Sequence, residues 1–295
     1  MTANKDIATL SRTMDILKRH NFQLKKNLGQ NFLVDLNILH KILEAAKVSK
    51  QTQVIEIGPG IGALTEQLAR RAKKVLAIEI DANLIPILNK TLAGYENIRI
   101  VEADAVKADL KALIHETFNL SEEIILVANL PYYITTPLLM KLMTEKLPIQ
   151  RFCVMVQKEV AERITGRPGT KEYNALTILI QYFTMPRLAF VVPKSVFIPK
   201  PEVESAVLVF ERRTEPLVEV RDEAFFFQVV KGSFIQRRKT LFNNLKQSLK
   251  GLVSTEDIQK GLEEAGIRSS LRGEQLTIED FAKLSNQLLI YKKKE

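Results

Sequence analysis

The sequence predicts an α/β protein: a doubly wound, Rossmann-like sheet followed by a small all-helical C-terminal domain. Two observations carry this. From residue 53 onward, short apolar runs alternate with amphipathic helical stretches, the order that covers a parallel sheet on both faces. After Pro216 the pattern turns helical and stays so to the end, with apolar residues recurring at helical spacing.

The elements follow in order. Residues 53–58 (QVIEIG) read as a first strand, and 62–72 as a helix with Leu64, Leu68 and Ala72 on one face. Residues 74–80 (KVLAIEI) form a second strand, followed by a helix over 83–94. Residues 97–104 (NIRIVEAD) and 123–130 (EIILVANL) are the third and fourth strands, and the spacing predicts a helix from Thr136 through Lys146. Residues 151–157 (RFCVMVQ) make the fifth strand. Prolines then cluster at Pro186, Pro193, Pro199 and Pro201, before a late strand over 205–213 that closes the sheet. Helices are predicted over 223–236, 239–249, 255–266 and 277–290, the last two capped by Thr255 and Thr277 with acids in the first turn. The boundary falls near Arg213, giving domains over 1–213 and 214–295.

Composition narrows the function. The 295 residues include a single cysteine, Cys153, and three scattered histidines, which exclude a disulfide framework and a cysteine- or histidine-built metal site. No apolar run reaches the roughly 18 residues of a membrane span, and no signal peptide opens the chain. A cytoplasmic, metal-free protein is expected. The net charge of +9 is uneven. Residues 1–51 carry +5, residues 52–185 are neutral, and residues 186–295 carry +4. Two basic ends around a neutral centre suit a polyanion gripped about a neutral pocket.

The pocket is predicted at the strand ends. Glu56, Gly58, Gly60 and Gly62 form a G-x-G-x-G turn between the first strand and its helix, where a nucleotide-like ligand binds in doubly wound sheets. A carboxylate at Glu56 would repel a pyrophosphate, whereas S-adenosylmethionine presents an ammonium and a sulfonium. Glu79 ends the second strand about 20 residues on, where an acid accepts both ribose hydroxyls. Asp104 ends the third and can accept from an adenine amino group. Three acids at three successive strand ends select S-adenosyl-L-methionine, and hence a class I methyltransferase sheet.

The fourth strand ends in Asn129-Leu130-Pro131-Tyr132. The lone pair of an exocyclic amino group is delocalised into its ring. Acceptors on its two N–H groups favour the pyramidal nitrogen that can attack a sulfonium methyl. The Asn129 side-chain oxygen and the Leu130 carbonyl suit those roles, Pro131 fixes φ, and Tyr132 offers a stacking face. Such a reaction depends on alignment and electrostatics more than on a strong base.

The segments 27–35 (NLGQNFLVD), 55–69 (IEIGPGIGALTEQLA), 77–81 (AIEID), 102–105 (EADA), 129–139 (NLPYYITTPLL), 157–164 (QKEVAERI), 196–207 (VFIPKPEVESAV) and 232–245 (GSFIQRRKTLFNNL) are similar, from end to end, to the rRNA adenine N6,N6-dimethyltransferase family, and to its small-subunit branch. The resemblance implies donor contacts at Asn31, Leu33, Gly58, Glu79, Asp104 and Asn129. It also implies that Gln30 and Phe32 help close the pocket, and that Phe197 sandwiches the target base opposite Tyr132. Read from the residues alone, Phe197 beside two prolines is buried packing. The implied substrate is two adjacent adenosines in the terminal hairpin loop of 16S rRNA, within the immature 30S particle. Asn174 stands where the small-subunit branch usually has glycine.

On the RNA side, Lys25, Lys26, Arg237, Arg238 and Lys239 are the candidate phosphate contacts. Phe225, Phe226 and Phe227 are expected in a core, and Lys292–Lys294 in a disordered tail. A monomer without an obligate protein partner is expected. Two rival functions are a large-subunit dimethyltransferase of the macrolide-resistance type and a non-catalytic assembly or transcription factor on the same fold. The long helical C-terminal region disfavours the first, and the intact Glu79, Asp104, Asn129 and Tyr132 disfavour the second.

Overall fold

The computed structural model describes residues 6–22 and 29–293. Contacts divide the chain into two units. The first runs to Ala161 and takes in Pro186–Arg212; the second joins Glu162–Met185 to the chain from Arg213 onward. The sequence placed residues 162–185 with the sheet domain. The structure clusters them with the C-terminal helices instead, because α8 (Ala175–Phe183) turns Tyr182 and Phe183 onto Phe226 and Phe227, with Tyr182 and Phe226 ring centroids 5.2 Å apart.

In the first unit, two helices, α1 (Leu10–Arg19) and α2 (Leu36–Ala45), flank a short strand, β1 (Phe32–Leu33), none of which the sequence reading predicted. The main sheet holds β2 (Gln53–Ile57), β3 (Lys74–Glu79), β4 (Ile98–Glu102), β5 (Ile124–Asn129), β6 (Arg151–Gln157), β7 (Thr184–Val192) and β9 (Ser205–Arg212) in the order β4-β3-β2-β5-β6-β9-β7. Its first five strands are parallel, and β9 runs antiparallel to β6. The strand order reverses between β2 and β5, so the carboxyl ends of β2, β3, β4 and β5 lie side by side at the switch point. All five residues of β2 are buried, as a strand covered on both faces requires.

Between the strands run α3 (Ala63–Arg71), α4 (Ile85–Thr91), α5 (Leu110–Thr117) and α6 (Thr135–Thr144). Leu64, Leu68 and Ala72 are all buried, as their spacing predicts. The helix expected over 136–146 starts one residue earlier and stops at Thr144, after which Lys146 takes a positive φ.

Strand β9 does not close the sheet: β7 lies outside it. Sequence reasoning missed β7 because Pro186 sits within it. On an edge strand a proline is tolerated, since the missing N–H has no ladder partner to lose. A second sheet pairs β1 with β8 (Phe197–Ile198), setting Leu33 opposite Phe197.

The second unit contains, besides α8 and the end of α7 (Lys158–Ile164), the helices α9 (Glu223–Ser233), α10 (Leu241–Ser248), α11 (Thr255–Glu264) and α12 (Ile278–Ile290). Thr277 caps α12 in a capping box with Asp280. Helix α11 is capped by Ser254 rather than Thr255, its hydroxyl accepting from the Asp257 N–H at 3.0 Å. A hydroxyl one residue earlier reaches the third free N–H of that turn. Asn174, the departure from the family pattern, caps α8 by accepting from the Leu176 N–H at 2.8 Å. Phe225 and Phe226 are buried in this unit. Lys292 is not part of a loose tail: its ammonium lies 5.2 Å from the Phe225 ring centroid.

Candidate active site

The site forms in the first unit, where the carboxyl ends of four strands converge. Leaving β2, the chain turns through Gly58 and Gly60, both at positive φ. A side chain is strained there whatever the space. At Gly60 the space is also taken, since a Cβ would stand 3.0 Å from the Phe32 ring. The glycine turn and the β1 segment are thus packed directly together.

Glu79 ends β3 and reaches across to this turn. Its Oε2 accepts from the Gly60 N–H at 3.1 Å and its Oε1 from the Asp81 N–H at 2.9 Å. Burial raises its pKa above the usual carboxylate range, the N–H groups of Asp81 and Gly60 oppose that shift, and the Asp81 charge adds to it. Glu56, inside β2, is 1 % exposed, and its Oε2 has no hydrogen-bond partner. Burial pushes its pKa up to about 8, against the neighbouring Thr65 hydroxyl and with a smaller contribution from Glu79. Asp104 follows β4, with Oδ1 accepting from the Val106 N–H at 2.9 Å.

One cavity is lined by Glu56, Gly58, Gly60, Glu79, Asp104, Asn129, Leu130, Pro131 and Tyr132 together with Gln30, Asn31, Phe32 and Leu33. The structure therefore brings together the predicted pocket residues except Gly62 and Phe197. That ring is 3 % exposed and packed in the apolar core with Leu33, because β8 pairs with β1 and turns it inward. It is not among the residues that line the cavity.

The N-terminal segment is tied onto the strand ends. The Gln30 amide donates to Asp81 at 2.9 Å, and the Asn129 Nδ2 donates to the Asn31 carbonyl at 3.4 Å. The second bond commits the Asn129 nitrogen and leaves Oδ1 to accept. Pro131, at φ −57° and ψ 133°, turns the chain into a single 3-10 turn over Tyr132–Ile134. The Tyr132 hydroxyl shares a hydrogen bond of 3.0 Å with Ser205, which fixes the ring. Burial raises its pKa and Ser205 opposes the shift.

The donor set fits a cationic nucleoside. Three carboxylates face the cavity, and among its described residues there is no lysine or arginine. A pyrophosphate would find repulsion at close range and no counter-charge. An unpartnered buried carboxylate oxygen instead offers a place for an ammonium.

Sequence reasoning missed two residues. Asp81, 3 % exposed, anchors Gln30; its signal was its place two residues beyond Glu79 at a strand end. Tyr133, 45 % exposed, also lines the cavity, and adjoins a tyrosine already singled out.

In the second unit, Arg237, Arg238 and Lys239 are exposed in the turn between α9 and α10. Lys25 and Lys26 lie outside the described residues. No helix among the described residues is long and apolar enough to cross a membrane.

Residues 21–289 match the family described as Ribosomal RNA adenine dimethylase. A ribosomal RNA small subunit methyltransferase A from Geobacillus sp. (strain WCH70) is 56% identical over 286 residues, covering 97% of this chain and 98% of its own. Among solved structures, a dimethyladenosine transferase from Plasmodium falciparum is 29% identical with a TM-score of 0.71, covering 85% of this chain and 95% of that one. The 23S rRNA methyltransferase ErmE is 26% identical with a TM-score of 0.63, over 87% of this chain and 98% of that one.

Proposed function

The chain belongs to the ribosomal RNA adenine dimethylase family, and we propose that it uses S-adenosyl-L-methionine to dimethylate N6 of two adjacent adenosines in the 3′-terminal hairpin loop of 16S rRNA, late in 30S assembly. The observation that carries this is the single cavity uniting Glu56, Glu79 and Asp104 with the Asn129–Tyr132 turn.

The donor supplies an electrophilic methyl group on a sulfonium. Glu79 accepts from its ribose hydroxyls while held by the Gly60 N–H, Asp104 accepts from its adenine amino group, and Glu56 lies toward its cationic methionine end. Asn31, Leu33 and Gly58 complete that side, and Gln30 and Phe32 close it from the N-terminal segment.

The acceptor adenosine leaves its stack and lies against Tyr132. The Asn129 Oδ1 and the Leu130 carbonyl accept from its two N6–H bonds, so the nitrogen lone pair turns out of the ring toward the methyl carbon. The N–C bond forms as the C–S bond breaks, and the extra proton on nitrogen passes to solvent. Preorganised acceptors act here without a strong base. Phe197, which stands opposite Leu33 on the paired strand, would stack on the base's other face only if its buried ring turned toward the cavity.

Arg237, Arg238 and Lys239, with Lys25 and Lys26, contact rRNA phosphates, and the C-terminal helices form an RNA-binding domain. The protein acts as a cytoplasmic monomer on the immature 30S particle.

The test is label mapping: tritiated donor incubated with immature 30S particles, 50S particles or free rRNA. Label on the two adjacent adenosines of the small-subunit hairpin is expected. Label on large-subunit rRNA would favour the macrolide-resistance activity, and none anywhere a non-catalytic assembly role.

A further inference from the structure

Helix α6 begins at Thr135, immediately after the Tyr132–Ile134 turn, and its Thr135 hydroxyl donates back to the Pro131 carbonyl at 3.1 Å. Two turns later, Lys141 leaves the same helix toward a different strand end. Its ammonium donates to the Val106 carbonyl at 2.9 Å and to the Ala108 carbonyl at 2.6 Å. The side chain is only 12 % exposed, and its ion pair to Glu145 on its own helix is longer at 3.5 Å. An ammonium largely withdrawn from water and committed to two backbone carbonyls is a structural clamp.

What it clamps is the turn built on Asp104. The Val106 N–H binds the Asp104 carboxylate at 2.9 Å, and the N–H groups of Lys107 and Ala108 bind the Asp104 carbonyl at 2.9 and 2.8 Å. The N–H groups of residues 106 and 108 therefore face Asp104, while their carbonyls face Lys141. Withdrawing the ammonium would take from the Val106 carbonyl its partner and leave the Ala108 carbonyl only the Leu110 N–H at 3.0 Å, loosening the turn that sets the carboxylate.

We propose that Lys141 is a positioning residue that fixes Asp104 for the donor's adenine from the helix that carries the acceptor turn, so that one rigid element registers both substrates. This rests on the reading of Asp104 as an adenine contact. The hydrogen-bond path runs from Pro131 through Thr135 and along α6 to Lys141, then through Val106 and Ala108 to Asp104.

The test is steady-state methyl transfer to immature 30S particles by the full chain, with Lys141→Met, Lys141→Arg, Asp104→Ala and the Lys141→Met/Asp104→Ala pair. Lys141→Met keeps most of the aliphatic stem and loses the donors. It should raise the donor KM about tenfold, the loss expected for hydrogen bonds from a charged group, with kcat changed less than about twofold. Lys141→Arg should recover most of that loss. In the Asp104→Ala background Lys141→Met should add little, because residues acting in series are not additive. An unchanged KM in Lys141→Met, alongside a raised KM in Asp104→Ala, would overturn this inference and leave the Asp104 reading standing. An equal rise in both backgrounds would also overturn it, by showing an effect that bypasses Asp104. An unchanged KM in Asp104→Ala would overturn both. Circular dichroism melting of each variant separates these effects from loss of fold, and a Lys141→Met defect that only tracks a lowered Tm, without rescue by arginine, counts against the inference.

Discussion

The Glu79 carboxylate accepts the Gly60 N–H at 3.1 Å, so the acid that ends one strand is locked to the glycine turn that ends its neighbour. The two features read separately in the sequence are one hydrogen-bonded unit. Glu79→Ala removes both the ribose acceptor and this tie. Donor affinity measured by titration calorimetry should fall at least about tenfold. Unchanged affinity would separate the carboxylate from the donor.

Glu56 gives a pH dependence with a definite sign. In the unfolded chain its carboxyl loses its proton around the ordinary 4.5, and in the folded chain only near pH 8. Between those values the folded state binds more protons, so this group's contribution to stability falls as pH rises through the window and levels off above it. Glu56→Gln should therefore show a flatter Tm-against-pH curve over that range. A cationic donor favours the ionised carboxylate, so donor binding should release a proton below about pH 8. Calorimetry in buffers of different ionisation enthalpy should detect that proton in the parent chain and not in Glu56→Gln.

Asn129→Ala should reduce kcat by about 100- to 1,000-fold, the loss typical of a preorganised polar group aimed at the reacting centre, while donor binding weakens but stays measurable. Single-turnover transfer with saturating donor checks this. Full turnover would remove the amino-group positioning role.

The Tyr132 hydroxyl is occupied by Ser205, so stacking and hydrogen bonding are separable. Tyr132→Phe should keep most activity and lose about 1 kcal/mol of stability. Tyr132→Ala should lose turnover. Equal activity in the two variants would exclude a stacking role.

Arg237→Ala combined with Arg238→Ala should weaken binding to rRNA and reduce the slope of log affinity against log salt by about two. Filter binding across a salt series measures this, and an unchanged slope would return the pair to a solvated turn.

Most of the sheet was legible because β2, β3, β5 and β6 are largely buried and mostly apolar. Their carboxyl ends carried the acids and the asparagine in plain view. Strand β7 was not legible, since Pro186 breaks the local pattern and only an edge position reconciles it. Strands β1 and β8 are two residues each, too short for any periodicity, and their pairing is what turned Phe197 inward. Residues 162–185 read as part of the sheet domain because chain order says nothing of which core Tyr182 and Phe183 join. Lys141 carries no sequence signal: its partners are two backbone carbonyls more than 30 residues away.

The central claim is that donor and acceptor meet where the strand ends converge. A crystal of the chain grown with S-adenosylhomocysteine tests it most directly. The ribose hydroxyls should lie on Glu79 and the adenine amino group on Asp104, with the sulfur facing the Asn129 side chain. A nucleoside seated anywhere else on the molecule would contradict the account.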